Sequence, residues 1–328
     1  RLPIKAHKSG LFDQALAYRS FFFGAQRACR GQQWDLVYAT SSRLMTGFTG
    51  ARIARPAGAP FVLDIRDLFV DTMGDLLRGN LLRLTLPIFR LIERYTFATA
   101  TKVSTVSEAF VPYLRVRGVT GPIEFFPNGI DSLFLEEPDQ PAATDSQPSA
   151  AGPKRLVYVG NIGDGQGLDR ILPEAAAVVH GKWEFHLVGY GGAIAKLKAR
   201  ITELGVTNIV FHDPVPRTEV PAFYRDADAL FLHLNEIPAF ERVIPSKIFE
   251  YGAGEKPVIP GVAGYPARFI STNLPDVLLF DPCDVQALVK ILSNPLPRIS
   301  SDDRGEFVTR FRREAIMARL AAWITADL

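Results

Sequence analysis

The amino-acid sequence predicts an α/β protein made of two doubly wound domains, each built on a parallel sheet covered by helices. Three observations support this fold class. Short apolar runs alternate with amphipathic segments about every 20–30 residues. The run APFVLDI (59–65) is nearly all apolar, as in strands that are buried on both faces of a parallel sheet. Residues 136–153 lack any periodicity and separate two such alternating halves.

The first half, residues 1–135, is predicted to form the first domain. Helices are expected at 14–30, 43–55, 87–99 and 108–117, and strands at 34–41, 59–65, 101–107 and 123–129. The third helix begins at Pro87, and proline is well suited to the first helical position. The aromatic run FFF (21–23) is interpreted as core, with an acceptor groove as the alternative.

The second half is predicted to form another domain over residues 154–311, after a linker at 136–153 that is rich in Pro, Ala and Ser. Strands are expected at 155–161, 183–189, 208–213, 227–234 and 256–262, and helices at 167–180, 191–204, 217–226 and 246–253. Ligands of such sheets bind beyond the carboxyl ends of the strands. The loops at those ends are therefore the places to look for chemistry.

Composition excludes several classes of protein. A formal net charge of +2 gives no argument for nucleic acid as a partner. The two cysteines, Cys29 and Cys283, are far apart and predict neither a metal site nor a disulfide, which favours a reduced, cytoplasmic setting. No apolar run reaches the roughly 18–20 residues of a membrane span, and no signal peptide is evident. The chain begins at Arg1 without a methionine, so a preceding segment is expected.

Two strand-end loops are rich in glycine, GNIGDGQG (160–167) and GYGG (189–192). Glycine lets backbone N–H groups approach a phosphate closely. Neither loop matches the GxxxxGK[ST] pattern of the Walker-type nucleotidases. The loops are compatible with a phosphate site, but such turns are common in any fold of this class.

The stretch VIPSKIFEYGAGEKPVI (243–259) carries the most informative pattern. Ser246 is expected to be the N-cap of a helix, with Lys247 in its first turn. A cation there is unfavourable, because the N-terminal end of the helix dipole is also positive. An anion could bind to both the ammonium and the free N–H groups, so the pattern suggests a diphosphate site. Glu250 shares a face with Lys247, and a carboxylate can accept hydrogen bonds from two vicinal hydroxyls. An ordinary surface Lys–Glu pair is the alternative.

These residues, with several others in order, resemble glycosyltransferase family 4, the retaining enzymes of the GT-B fold. VIPSKIFEYGAGEKPVI resembles the donor-site motif of that family. Other segments resemble the subgroup that builds bacterial surface polysaccharides, which includes N-acetylfucosamine-type sugar transferases. They are FVLDIRDLFVD (61–71), LIERYTFATATKVSTVSEAFVPYL (91–114), FFPNGID (125–131), RLVYVGNIGDGQGL (155–168) and FHLVGYGG (185–192).

The resemblance implies two Rossmann-like domains facing across a cleft. The nucleotide of the sugar donor lies on the second domain and the acceptor on the first. A C-terminal helix, at about 312–328, is expected to pack back on the first domain, and DRGEFVTRFRREAIMARLAAWI (303–324) has a suitable length and amphipathic pattern.

The resemblance also assigns roles by position. Glu250 would bind the ribose, and Lys247 the diphosphate, with help from Ser246 and its helix. The remaining positions matched to the donor site are Gly160, Asn161 and Gly163 near the phosphates, Gly189 and Gly191 against the nucleotide, Asp213 and Val215 near the base, and Arg242 as a further positive charge. Asn128 and Gly129 would stand at the cleft. Arg66 and Asp67 would position the donor sugar or the acceptor, with a salt-bridged strand end as the alternative.

The sequence departs from the commoner family pattern in several places, and one of them is that the Gly-rich loop that usually opens the first domain is absent, as expected if a preceding segment is missing. Many members have two glutamates with seven residues between them; counting back from Glu250, Arg242 stands at the first of these positions, and Glu241 is one place off. Asn161 and Gln166 stand where many members have an Arg and a Lys. Arg66 replaces the histidine of a His-Asp pair. These departures put contacts to the sugar hydroxyls in doubt and leave Lys247 as the main expected cation.

The activity that the resemblance implies is transfer of a sugar with retention, without a metal or other cofactor. The donor would be a UDP-sugar, with an N-acetylhexosamine or deoxy-aminosugar, and the acceptor a lipid-linked or polysaccharide glycan. The leaving phosphate itself would take the acceptor's proton. Two alternatives stay open. One is a UDP-sugar 2-epimerase on the same fold, and the other is a non-catalytic scaffold protein, which the replacements at Asn161, Gln166 and Arg242 favour.

Residues 76–94 combine apolar residues with arginines at 78, 83, 90 and 94. On a helix of 100° per residue, Arg83, Arg90 and Arg94 fall within about 40° of one another. This pattern suits an anionic membrane surface, and the resemblance to a subgroup that extends lipid-linked sugars implies peripheral association with the inner face of the cytoplasmic membrane. The alternative is that the apolar side packs into the first domain and the arginines are solvated.

Overall fold

A computed structural model of the chain describes residues 11–41, 43–76, 84–135, 152–274 and 276–326. The chain divides into two compact units. Unit 1 comprises residues 1–127 and 317–328, and unit 2 comprises residues 128–316. Most of the predicted linker at 136–153 lies outside the described residues, as does the part of the predicted membrane segment at 77–83.

Unit 1 contains a four-stranded parallel sheet with strand order β1-β2-β3-β4. In chain order it comprises α1 (Leu11–Cys29), β1 (Val37–Ser41), α2 (Leu44–Ala57), β2 (Phe61–Ile65), α3 (Phe69–Leu76), α4 (Leu86–Thr99), β3 (Lys102–Thr105), α5 (Val111–Val116) and β4 (Ile123–Phe125). Every residue of the inner strand β2 is buried, whereas the edge strand β1 exposes alternate residues. This difference explains why β2 is nearly all apolar in sequence.

Unit 2 contains a five-stranded parallel sheet with strand order β7-β6-β5-β8-β9. It comprises β5 (Lys154–Val159), α6 (Leu172–Val178), β6 (Trp183–Val188), α7 (Ile194–Leu204), β7 (Ile209–His212), α8 (Val220–Arg225), β8 (Ala229–His233), α9 (Lys247–Gly252), β9 (Val258–Gly261), α10 (Gly264–Asn273), α11 (Val285–Ser293), α12 (Ser301–Phe311) and the start of α13 (Arg313–Thr325). Trp183, Phe185 and Phe231 are fully buried in its core. The predicted fold class of two parallel α/β sheets is confirmed.

Three helices that the structure contains were not predicted: α3, α10 and α11. The segment that forms α10 has a glycine and a proline in its first turn, which in sequence resembles a loop. Pro266 costs this helix little, because the first N–H groups of a helix have no intrahelical partner. Gly264 enters the helix with φ of 68°, a conformation that favours glycine.

The segment 303–324 forms two helices rather than one, α12 and α13, and α13 lies within the range of about 312–328 expected for the C-terminal helix. Arg312 lies between them with φ −56° and ψ 122°, which is not helical. Ile130 pairs with the chain at this break: its N–H donates to the carbonyl of Phe311 at 2.7 Å, and its carbonyl accepts from the N–H of Arg313 at 2.9 Å. These two bonds replace helical ones, so the break costs few backbone partners.

The last helix, α13, begins in unit 2 and ends in unit 1, which takes in residues 317–328. Within unit 1, the Trp323 carbonyl accepts a hydrogen bond from Lys102 Nζ at 3.0 Å, and the Trp323 ring lies 5.7 Å from that of Phe126. Among the residues that the structure describes, no helix is both long and apolar enough to cross a membrane.

Candidate donor site

The carboxyl ends of β5, β6 and β7 lie side by side at one edge of the unit 2 sheet. The amide of Gly160 donates to the carbonyl of Val188 at 2.8 Å, and that of Gly189 donates to the carbonyl of His212 at 3.1 Å. The loops GNIGDGQG and GYGG therefore begin next to each other. This is the edge beyond which doubly wound sheets bind ligands.

Glycines allow these two loops to pack backbone against backbone. Gly160 and Gly189 have φ angles of 144° and 135°, which residues with a Cβ rarely adopt. A Cβ at Gly189 would overlap the carbonyl oxygen of Gly160, and a Cβ at Gly191 would overlap the backbone of Ile162. The close approach in the structure is thus to the neighbouring loop, and the approach of these glycines to a nucleotide stays a prediction.

The amides of Asn161 and Gln166 hold the first loop together. Asn161 Nδ2 donates to Gln166 Oε1 at 3.0 Å, and the N–H of Gly163 donates to the same oxygen at 3.1 Å. The hydroxyl of the buried Tyr158 donates to the carbonyl of Asn161 at 2.5 Å. Asn161 and Gln166, which stand at the two positions that carry cations in many family members, thus form an uncharged hydrogen-bonded pair here.

Lys247 is the first residue of α9, and its ammonium packs against Gly160. The Nζ atom lies 5.2 Å from the centroid of the Tyr158 ring, and a Cβ on Gly160 would overlap both Cε and Nζ. Burial lowers the pKa of Lys247, while the nearby Glu250 carboxylate raises it. Helix α9 has six residues, so the positive charge at this point comes mainly from the Lys247 side chain.

The prediction that Ser246 is a side-chain N-cap is wrong. Its backbone is already helical, with φ −59° and ψ −29°, and its side chain makes no capping hydrogen bond. The first turn is closed by the backbone instead: the N–H of Ile248 donates to the carbonyl of Pro245 at 3.1 Å, and that of Phe249 to the carbonyl of Ser246 at 3.2 Å. The exposed Ser246 hydroxyl is therefore not used for capping.

Glu250 lies one turn after Lys247, and both of its carboxylate oxygens have partners. Oε2 accepts from the Tyr224 hydroxyl at 2.9 Å, and Oε1 accepts from Arg217 Nη2 at 3.2 Å. Burial, together with Tyr251 and Glu250, raises the pKa of Tyr224, so Tyr224 stays a hydrogen-bond donor. The carboxylate is thus held in a fixed position with lone pairs left to accept further bonds.

Arg217 is a member of this site that sequence analysis missed. Its Nη2 atom also lies 3.4 Å from Asp131 Oδ2, and its guanidinium lies 5.4 Å from the centroid of the Phe134 ring. The side chain is 50 % exposed. A signal was available, since Arg217 follows closely after the predicted strand-end residues Asp213 and Val215.

The other predicted residues of unit 2 lie in three places. Asp213 is exposed and Val215 half-buried, directly after β7. Arg242 is half-buried and ends a short 3₁₀ turn, Pro238–Arg242. Asn128 and Gly129 are the first residues of unit 2, and their carbonyls accept hydrogen bonds from Arg313 at 3.2 and 3.4 Å.

In unit 1, Arg66 and Asp67 follow the end of β2. Arg66 Nε donates to Asp64 Oδ2 at 2.7 Å, which matches the salt-bridged alternative, although the carboxylate involved is not Asp67. Asp64 is buried and also accepts from the hydroxyls of Thr40 at 2.9 Å and Ser104 at 2.8 Å. Asp64 was missed, although an acid inside a nearly all-apolar strand is an unusual feature.

Asp67 is less strongly paired than its neighbour. The Thr72 hydroxyl donates to Asp67 Oδ1 at 3.4 Å, and burial raises the pKa of Asp67. The sequence placed Arg66 and Asp67 together as residues that position a sugar. The structure places them at the carboxyl end of a parallel strand, as that role requires, and the role itself stays a prediction.

His233, at the end of β8, is a third residue that was missed. It is fully buried, and its Nε2 accepts from the N–H of Cys283 at 2.9 Å, so Nδ1 carries the proton and donates to the carbonyl of Gln166 at 2.6 Å. Burial lowers the pKa of His233 to about 4. The neutral imidazole therefore fixes the end of the glycine-rich loop to the segment after β9.

Among the residues that the structure describes, no group of three or more His, Cys, Asp or Glu side chains is arranged to hold a metal ion. The cationic groups beside the predicted phosphate and ribose positions are Lys247 and Arg217. Independence of metal stays a prediction of the family resemblance.

Comparison with known protein families gives two consecutive matches. Residues 1–129 match the model of a glycosyl transferase 4-like domain, and residues 139–296 match the model of glycosyl transferases group 1. The first match covers most of unit 1 and the second most of unit 2, in the order expected from the motifs. This chain belongs to glycosyltransferase family 4.

Two relatives of this family member are named for glycosyl transfer in bacteria. WcaI of Escherichia coli (strain K12), named as a colanic acid biosynthesis glycosyl transferase, is 27% identical over 249 residues, which are 72% of this chain and 60% of WcaI. WbjE of Pseudomonas aeruginosa, named as a glycosyltransferase, is 21% identical over 263 residues, 78% of this chain and 64% of WbjE. The matched part thus spans less than two thirds of either relative.

Solved structures confirm the GT-B fold of the family 4 chain. Sucrose-phosphate synthase from Thermosynechococcus elongatus matches with a TM-score of 0.74 at 18% identity, over 100% of this chain and 84% of the synthase. HepE from Anabaena, in complex with UDP-glucose, matches with a TM-score of 0.74 at 18% identity, over 99% of this chain and 86% of HepE. At these identities the likeness shows the fold alone.

Proposed function

We propose that the chain transfers a sugar, with retention of configuration and without a metal, from a UDP-sugar to a lipid-linked or polysaccharide acceptor of a bacterial surface glycan. The sugar proposed is an N-acetylhexosamine or a deoxy-aminosugar. Relatives named for glycosyl transfer support the reaction class, and the complexes of HepE with UDP and UDP-glucose support the donor nucleotide. The family matches favour transfer over epimerisation of a free UDP-sugar.

The observation that carries this proposal is the pairing of Lys247 with Gly160. The end of the half-buried Lys247 side chain lies against Gly160, which directly follows the central strand β5 and has no side chain of its own. An ammonium kept out of bulk water interacts more strongly with an anion than a surface lysine does. Such a site suits the diphosphate of a nucleotide donor.

In the proposed reaction, Lys247 stabilises the negative charge that develops on the leaving diphosphate. Loss of one such contact costs roughly 2.7–4 kcal/mol in the activation barrier, or about 10²–10³ in kcat. Glu250, held by Tyr224 and Arg217, accepts hydrogen bonds from the ribose hydroxyls. The acceptor hydroxyl arrives beside the departing phosphate, which takes its proton.

The test is calorimetric binding of UDP, GDP and ADP to the full chain without metal, in the wild type and in Lys247→Ala. The expected result is preferential UDP binding that Lys247→Ala weakens at least tenfold. Lys290→Ala is the matched control, since Lys290 is an exposed lysine of the same unit, in the last turn of α11. It is expected to leave the Kd of UDP unchanged.

Two other outcomes would change the proposal. A folded protein that binds none of the three nucleotides would refute the donor site and favour the scaffold alternative. Nucleotide binding with no transfer to any acceptor would favour a binding protein, for which the neutral pair Asn161 and Gln166 is the supporting observation. We also propose that the chain binds to the inner face of the cytoplasmic membrane, where a lipid-linked acceptor would lie, and that residues 76–94 make this contact.

A further inference from the structure

Three helices of unit 1 present a surface on which the exposed charged side chains that the structure describes have one sign. Helices α1 and α4 both pack against α2. The Phe22 ring of α1 stacks on the Phe48 ring of α2 at 5.8 Å, and the Tyr95 ring of α4 lies 5.7 Å from Phe48. The outward sides of the three helices therefore adjoin one another. We call this surface the arginine face.

Each of the three helices contributes two exposed arginines to the arginine face. Among the described side chains of these helices, every exposed charged residue is an arginine, and the acid Glu93 is buried on α4. No ion pair joins these arginines to a carboxylate of the described residues, and Arg55 lies over the Tyr95 ring. The arginines are Arg19, Arg27, Arg52, Arg55, Arg90 and Arg94.

Large apolar side chains are exposed on the same surface. Leu84, Ile88 and Leu91, just before and on α4, are 77%, 62% and 71% exposed, and Phe23 on α1 is 62% exposed. On a helix of 100° per residue, the first three fall within about 60° of one another, opposite the buried Glu93. Exposed apolar residues gathered in this way on one side of a helix mark a surface that meets a partner.

We infer that the arginine face docks on an anionic phospholipid bilayer. Arginines beside a protruding stripe of Leu and Ile are the composition of helices that lie in a membrane interface, with cations at the headgroups and apolar side chains below them. A second copy of the chain is disfavoured, because it would set arginine against arginine. A nucleic acid could pair with the arginines, but it would not bury the apolar side chains of Leu84, Ile88 and Leu91.

This inference extends the proposed membrane contact from the single segment 76–94 to three helices, and it rests on the proposed association with a membrane. It does not depend on the donor site, which lies in the other unit. Vesicle binding and UDP binding are therefore separate measurements, and the failure of one leaves the other intact.

The test is co-sedimentation of the full chain with extruded vesicles of phosphatidylcholine, with and without phosphatidylglycerol. The expected result is binding that requires phosphatidylglycerol. Each basic residue near an anionic surface contributes about 1 kcal/mol. The triple variant Arg19→Gln, Arg52→Gln and Arg94→Gln, with one change on each helix, is therefore expected to weaken binding on the order of 100-fold.

A matched control removes three exposed arginines from unit 2: Arg225→Gln, Arg268→Gln and Arg298→Gln. It changes the net charge equally and is expected to leave vesicle binding within about twofold of the wild type, because its arginines belong to unit 2 and are not part of the arginine face. The variant Ile88→Ser and Leu91→Ser tests the apolar stripe and is expected to weaken binding even at high salt. Circular dichroism and the Kd of UDP verify that each variant is folded.

Three results would overturn the inference. The first is wild-type protein that binds neutral and anionic vesicles equally or binds neither. The second is a control variant that loses as much binding as the face variant, since net charge alone would then explain the effect. The third is binding to a short DNA duplex as tight as that to the anionic vesicles, which would reassign the arginine face to a nucleic acid.

Discussion

Replacing Gly160 with alanine tests whether the position of the Lys247 ammonium determines nucleotide binding. The added methyl would overlap Cε and Nζ of Lys247, so the ammonium must move while its charge is kept. A lysine end is flexible, so the fold survives this displacement. At the φ of 144° found for Gly160, alanine adds backbone strain of about 1–3 kcal/mol, which is expected to lower the free energy of unfolding.

The expected loss of affinity follows from the contact that is displaced. A hydrogen bond to a charged group contributes roughly 1.5–3 kcal/mol, which corresponds to about a 10- to 150-fold rise in the Kd of UDP. The assay is calorimetric titration of UDP into the wild type, Gly160→Ala, Lys247→Ala and the double variant. If both changes act through the same ammonium, the double variant binds UDP as Lys247→Ala does, within about twofold.

Losses that multiply in the double variant would refute this reasoning, because Gly160 would then act independently of Lys247. Gly205→Ala is the control for backbone strain alone. Gly205 has φ of 64° at the end of α7, and a Cβ there meets no atom within 4 Å. It is expected to lower the melting temperature and to leave the Kd of UDP unchanged.

Three further predictions concern single ionisable groups. Glu250→Gln is expected to lower the affinity for UDP more than the affinity for 2′-deoxy-UDP, because the carboxylate is proposed to bind the ribose hydroxyls. Equal losses of affinity in paired titrations would contradict that role. Burial lowers the pKa of Lys247, so the ammonium is expected to lose its proton toward alkaline pH and the affinity for UDP to fall. Calorimetry is expected to show proton uptake when UDP binds in that range, and Lys247→Ala is expected to abolish both effects. Burial raises the pKa of Glu93 from 4.5 to about 7, although hydrogen bonds from Tyr113 and the charge of Arg117 act to lower it. The folded state then keeps a proton that the unfolded chain releases, so stability is expected to fall by roughly 1–3 kcal/mol as pH rises through this window. Glu93→Gln is expected to flatten that decline in thermal unfolding, and an unchanged slope would show that Glu93 does not titrate there.

The parts of the fold that sequence predicted well are those with a strong periodic signal. The inner strands β2 and β8 are buried at every position, so their apolar runs stand out from the helices around them. The break between α12 and α13 gave no such signal, because Arg312 is an ordinary helix former. The break depends on pairing with Ile130, which lies 182 residues earlier in the chain.

The site shows the same division between local and distant causes. Lys247 and Glu250 were predicted because one turn of helix fixes their spacing. Arg217 and His233 were not, because each acquires its place from a partner on another element. Arg217 reaches Glu250 across 33 residues of sequence, and His233 reaches the carbonyl of Gln166 across 67. Neither pairing leaves a mark in the local sequence pattern.

The two cations of the candidate site differ in what each can contribute. Arg217 is half-exposed and shared between Glu250 and Asp131, and an exposed ion pair contributes about 0–1 kcal/mol. A ribose that engages Glu250 can therefore displace this bond at little cost, since Arg217 keeps Asp131 as a partner. Among the described residues, no carboxylate forms an ion pair with Lys247, which is also shielded from bulk water, so an arriving diphosphate gains more from it. On this reasoning Lys247 supplies most of the binding free energy of the phosphates, and Arg217 holds Glu250 in place until the ribose arrives.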